Sequence, residues 1–154
     1  EESHQVLAES LRIGKGCFWA HESDALRRIG LVCIDECDYA GAREHLLKSL
    51  ELRWEHRDGQ VFYDLQLLGM LAAAEGSYER AARMMGASER LREAMGFDLP
   101  QSSASELKRW VSRVHNELND ETLAQEWAAG RSMPEEQAVE YALGSDSEDA
   151  EGRP

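Results

Sequence analysis

Apolar residues recur along most of this chain at intervals of three and four, the period of a helix that buries one face. Leu26, Ile29, Val32 and Cys33 make one such stripe; Leu46, Leu47 and Leu50 make the next. Met84, Met85 and Leu91 form another, followed by Leu107, Trp110, Val111, Val114 and Leu118. A short segment carries Leu123 and Trp127, and a last stripe runs through Ala138, Val139, Ala142 and Leu143. The pattern predicts an all-α chain.

The stripes are not independent of one another. The segments IGLVCIDECDYAGAREHLLKSLE and LGMLAAAEGSYERAARMMGASER align without a gap at a spacing of 39 residues, Gly30 matching Gly69. Tyr39 then matches Tyr78, and Ala42 matches Ala81. Self-similarity with a period in this range marks a stacked helical repeat. Each unit reads as two helices. A small residue, Gly30 or Gly69, costs helix propensity and is compensated by close approach of a neighbouring helix. Asp38 or Ser77 is placed to cap the second helix, and Ala42 or Ala81 again allows close packing. Shifted back by the same interval, Leu46, Ser49 and Leu50 fall on Leu7, Ser10 and Leu11. Residues 1–16 are therefore expected to be the second helix of a truncated repeat, and residues 17–96 two complete pairs.

Past Met95 the repeat stops. Gly96 to Pro100 reads as a helix stop and loop, and Ser103 with Glu106 as a capping box. Asn119-Asp120 caps a short helix, Gly130 is a C-cap candidate, and Ser132 with Glu135 is a second capping box with Pro134 in the first turn. Residues 97–143 are expected to cap the open end of the repeats. Residues 144–154, GSDSEDAEGRP after Leu143, read as an acidic disordered tail.

The Leu-Gly pair, the Asp-Tyr or Ser-Tyr that follows and the small Ala resemble the tetratricopeptide repeat. That resemblance implies antiparallel helix pairs wound as a right-handed solenoid. This period is about five residues longer than the usual ~34, the extra length falling between Trp54 and Gln60. The carboxyl-terminal run, with Gly86-Ala87, Glu89, Leu91-Arg92, Gly96, Leu99-Pro100, Trp127, Gly130-Arg131 and Glu135-Glu136, is similar to the end of large bacterial regulators of the STAND ATPase class, often joined to LuxR-type DNA-binding domains. It implies a non-catalytic interaction or sensory module at the C-terminus of a larger cytoplasmic regulatory protein. The alternative is a purely structural end-cap without a partner of its own.

Charge narrows the partners. The chain of 154 residues carries a formal net charge of -13. Phosphate backbones and anionic membrane surfaces need clustered Lys and Arg, so neither nucleic acid nor membrane is an expected partner. A protein or peptide, or neighbouring domains of the same chain, is expected instead. No apolar run approaches the roughly 20 residues of a membrane span. The three cysteines, Cys17, Cys33 and Cys37, suit free thiols in a reducing compartment.

Catalytic chemistry finds little purchase. Cys33 with Cys37, and Cys17 with His21, place ligand types one turn apart, but a zinc site needs a second pair, so no metal site and no cofactor are assigned. The thiols lack a strained elbow or oxyanion turn. The five histidines fall beside polar neighbours and read as solvated. Glu135 and Glu136 are adjacent and do not face each other. Gly14 to Gly16 lacks the phosphate-loop spacing. The methionines Met70, Met84, Met85 and Met95 read as core filling. The chain is not expected to be an enzyme.

The binding reading places a concave groove on the first helices of the pairs. Its lining is assigned to Asp24, Arg27, Leu31 and Ile34, then Tyr63, Gln66, Met70 and Ala73. Repeats of this family that clamp acidic C-termini use Lys and Asn at matching inner positions, where Arg27, Leu31, Gln66 and Met70 stand here; that clamp does not carry over. A truncated first repeat leaves an apolar flank near Leu7, Leu11, Phe18 and Trp19, which is expected to drive self-association.

Overall fold

The computed structural model describes residues 5–9 and 18–144. Within them the chain is all helix, with no strand: α1 (5–9), α2 (Trp19–Asp35), α3 (Tyr39–Glu55), α4 (Val61–Ala74), α5 (Tyr78–Met95), α6 (Gln101–Glu117), α7 (Asp120–Arg131) and α8 (Glu135–Leu143). Ser10, Leu11, Cys17 and the acidic tail lie outside the described residues.

The turns that end the first helix of each pair share one hydrogen-bond pattern. The amide of Asp38 donates to Cys33 O and that of Cys37 to Ile34 O; Ser77 donates to Ala72 O and Gly76 to Ala73 O. This is the closure in which one residue enters the left-handed region. Gly76 does so at φ 84 without cost, whereas Cys37 does so at φ 61 with a side chain attached. Two positions 39 residues apart thus perform the same turn with different chemistry. Asp38 caps α3 as its position predicts, accepting from Gly41 N at 3.0 Å. Ser77 occupies the corresponding N-cap of α5, but its hydroxyl makes no capping bond.

Contacts within each pair run in opposite senses, so the helices are antiparallel. Ser23 meets Ser49 and Arg53, whereas Gly30 meets Leu46. In the second pair Phe62 meets Ser88 and Gly69 meets Met85. A Cβ on Gly30 would lie 2.6 Å from Leu46, which is the close approach expected of that glycine. Ala42 and Ala81 are fully buried.

α4 is the centre of the molecule. Every residue from Val61 to Ala73 except Tyr63 is buried, because α2, α3, α5, α6 and α8 all pack around it. A helix enclosed on all sides cannot be amphipathic, and its VFYDLQLLGMLAAA sequence accordingly has no solvated face.

The carboxyl-terminal helices divide their work. α7 packs closely along α5, while α6 and α8 pack on α4 as well as on α5. Three sequence expectations are corrected here. α6 starts at Gln101 with Pro100 at the N-cap, so Ser103 lies inside the helix and does not cap it. Ser132 is the C-cap of α7 and α8 begins after Pro134, so the second capping box does not form. Gly130 lies within α7 and is buried: a Cβ there would stand 1.8 Å from Arg83 O, so the residue permits backbone contact with α5. Gly86 faces the same seam, 2.3 Å from Trp127 O by the same measure. Asn119 does cap α7, accepting from Thr122 N at 2.8 Å. Gly96 ends α5 at φ 64. Met70, Met84 and Met85 fill the core as expected, while Met95 and Leu143 are exposed.

Candidate functional site between α4, α5, α6 and α7

The eight residues assigned to a groove separate into two groups. Arg27, Ile34, Gln66, Met70 and Ala73 are buried. Asp24, Leu31 and Tyr63 keep partial exposure. α6 and α8 pack on α4, and this closes the helix that the second half of the groove required. Of the assigned residues, the structure does bring together Asp24, Arg27 and Tyr63: the Arg27 guanidinium is 3.5 Å from Asp24 and lies over the Tyr63 ring at 5.3 Å.

Arg27 belongs to a buried polar cluster. Its Nε and Nη2 donate to the two oxygens of Asp64, each at 3.0 Å, and Nη2 also donates to Gln60 O. Asp64 is wholly buried and accepts in addition from Ser49 Oγ at 2.5 Å. Arg53, 2% exposed, donates to Ser23 and pairs with Asp24 and Asp58. Two guanidiniums and three carboxylates thus pair where α2, α3 and α4 meet, with the one excess negative charge falling to the partly exposed Asp24 and Asp58 at the rim. Buried charges persist only when paired in this way. The sequence assigned no site role to Asp64, Ser49 or Arg53. The available signal was Asp64 itself, the only charged residue of the apolar run from Val61 to Ala74.

On the other side of α4 lies a cavity of about 420 Å³. Met85, Leu99, Leu107, Val111 and Trp127 give it an apolar body, and Gln66, Ser88, Glu89, Arg92 and Lys108 supply polar groups. Two of these polar groups are incomplete. Gln66 is 2% exposed, yet its Oε1 has no hydrogen-bond partner among the described residues; the buried Nε of Arg92 has none there either. The neighbouring groups are spoken for. Ser88 Oγ donates to Phe62 O. Glu89 Oε1 accepts from Trp127 Nε1 at 3.1 Å and from Arg131 Nη1 at 2.6 Å, and Arg131 also donates to Glu93 at 2.7 Å. That bond to Arg131 holds the Glu93 carboxyl below its ordinary range. The walls meet loosely at one seam. α6 and α7 make little contact with each other, and a second apolar hollow lined by Val111, Leu123 and Trp127 opens between them.

Among the described residues no cluster of His, Cys, Asp and Glu is placed to hold a metal ion. Cys33 is buried, and burial, aided by Asp38 and Glu36, raises its thiol pKa; the exposed Cys37 lies on the adjoining turn. No helix among the described residues is long and apolar enough to cross a membrane. No family model, curated protein or solved structure matches this chain. The features in hand define a small all-helical domain.

Proposed function

We propose that this domain is a non-catalytic sensory or interaction module of a larger regulatory protein, with helix pairs of the tetratricopeptide type. It would bind a ligand or partner without transforming it. The observation that carries the reading is the cavity between α4, α5, α6 and α7, whose walls include buried polar groups that the chain leaves unpartnered. Cavities of roughly 300–1,000 Å³ with an apolar body and a few convergent polar groups are the usual form of ligand sites. Transmission has a physical route as well. α6 and α7 share the cavity but little direct contact, so an occupant touching both would tie them together and shift their ensemble.

A protein-observed NMR screen tests this, using a mixture of neutral, cationic and anionic fragments. Occupancy should move amide resonances around Gln66, Ser88 and Val111. A screen in which no compound perturbs those amides sinks the sensory reading and leaves the purely structural end-cap.

A further inference from the structure

We infer that the α4–α7 cavity takes a small amphipathic carboxylic acid that also carries a hydroxyl or amide N–H donor. The inference rests on reading this cavity as a binding site and names what fills it. Three observations combine. The lining is mainly apolar, with the indole of Trp127 and the side chains of Met85, Leu107 and Val111 contributing, so the body of the ligand is aromatic or branched. The Arg92 Nε is a buried donor without an acceptor. Arginine is the side chain best shaped to receive a carboxylate. Gln66 Oε1 is a buried acceptor without a donor, so the ligand must bring an N–H or O–H. An unpartnered buried polar atom carries a standing cost that only a partner removes.

The local charge selects the same class. Lys108 and Arg92 both stand on the lining, and Glu89, its carboxylate, is already engaged by Arg131. On the lining two cations, Arg92 and Lys108, therefore stand with one carboxylate, Glu89, a positive excess of one in a chain whose net charge is -13. A cationic ligand would meet that excess unfavourably. An anion completes it.

The test uses the whole chain and three defined probes. N-acetylphenylalanine carries the carboxylate, the N–H and the ring. Its amide lacks the charge, and 3-phenylpropanoate lacks the N–H donor. Titration calorimetry should show N-acetylphenylalanine binding about tenfold or more tighter than its amide, the scale of a hydrogen bond to a charged group. It should bind about fivefold tighter than 3-phenylpropanoate, the scale of a neutral hydrogen bond. Arg92→Met should abolish the preference for the acid over the amide. Gln66→Met should abolish the preference for the N–H compound without lowering the thermal midpoint, since it deletes an unpartnered atom at matched volume. A Gln66 kept only for structure would instead lose stability on that change. Equal binding of acid and amide at resonances around Gln66 and Val111 overturns the inference while leaving the cavity a ligand site. Binding of none of these probes, together with a fragment screen silent at those amides, overturns the site itself.

Discussion

The buried Arg27–Asp64 pair gives the sharpest test of how this fold is held. Replacing Asp64 with Leu removes two hydrogen bonds from Arg27 and one from Ser49, and strands a guanidinium that is almost wholly buried. Breaking one side of a buried ion pair costs about 3–5 kcal/mol. Asp24, 3.5 Å from Arg27 Nη1, offers partial relief, so the lower half of that range is expected. Arg27→Met should cost less, about 2–3 kcal/mol, because Asp64 retains Ser49, and Arg53 Nε stands 4.0 Å away. The double variant should be the more informative. Replacing both partners by apolar groups of similar volume is often neutral, so it should unfold within about 1 kcal/mol of the original chain. Urea titration followed by far-ultraviolet circular dichroism reads all three. With a slope of roughly 2 kcal/mol/M, Asp64→Leu should lower the midpoint by about 1.5–2 M. A drop below about 0.5 M, or a double variant whose loss equals the sum of the singles, would refute the claim that this pair is coupled and desolvated.

Three further outcomes follow from separate features. Gly130→Ala should destabilise by about 2–3 kcal/mol, the usual cost of overpacking, since its new methyl meets Arg83 O on the backbone of α5; a thermal midpoint unchanged within error would show that the α5–α7 seam is looser than drawn. Cys33 should resist iodoacetamide until the chain unfolds, while the exposed Cys37 reacts at once. The raised thiol pKa of Cys33 makes its contribution whole below the ordinary value of 9.0 and lost as the pH climbs from there toward the folded value, so Cys33→Ala should flatten that part of the stability profile. Phe18 is 63% exposed and Val6 also faces solvent; concentration-dependent self-association by light scattering should weaken in Phe18→Ser, and a chain monomeric at every concentration would contradict the apolar-flank expectation.

What sequence reading could see was set by periodicity and by local turn chemistry. The Asp38 cap and the Gly96 stop follow from short-range rules and are found, and the close helix approach expected at Gly30 is met by Leu46. Gly30 belongs to a repeat visible as residue identities 39 positions apart, such as Gly30 with Gly69 and Tyr39 with Tyr78. The start of α6 was misjudged because Pro100 opens the helix without a side-chain cap, leaving Ser103 as a more conspicuous but unused signal. Gly130 looked like a helix end because its role depends on Arg83, a residue 47 positions away in the chain. The groove assignment rested on which residues line a concave surface, whereas Gln66, Met70 and Ala73 are buried within the fold. It had no means of registering that α6 and α8 pack on the same helix. The polar cluster was signalled only by Asp64, the one charge in an apolar run; its partners could not be read, because Arg27, Arg53 and Asp64 come from three helices and no spacing links them.

Asp64 and Gln66 show why one helix carries both the anchor and the candidate site. Side chains two residues apart on a helix project roughly 200° from one another, so the two polar residues of α4 serve opposite sides of it. Asp64 faces the junction with α2 and α3 and is saturated by Arg27 and Ser49. Gln66 lines the cavity shared with α5, α6 and α7, and its carbonyl oxygen is left open. Saturation on one side fixes the position and rotation of α4 against the first helix pair. That fixed rotation aims Gln66 at the cavity in the absence of any occupant. An occupant would then bear on α6 and α7, which touch little beyond the exposed His115–Asp120 contact at their junction, while α4 stays rigid, as a preorganised site on a firm element requires. The same division explains how an unpartnered glutamine can be tolerated at the centre of the fold: the cost falls on a wall whose opposite side is already secured.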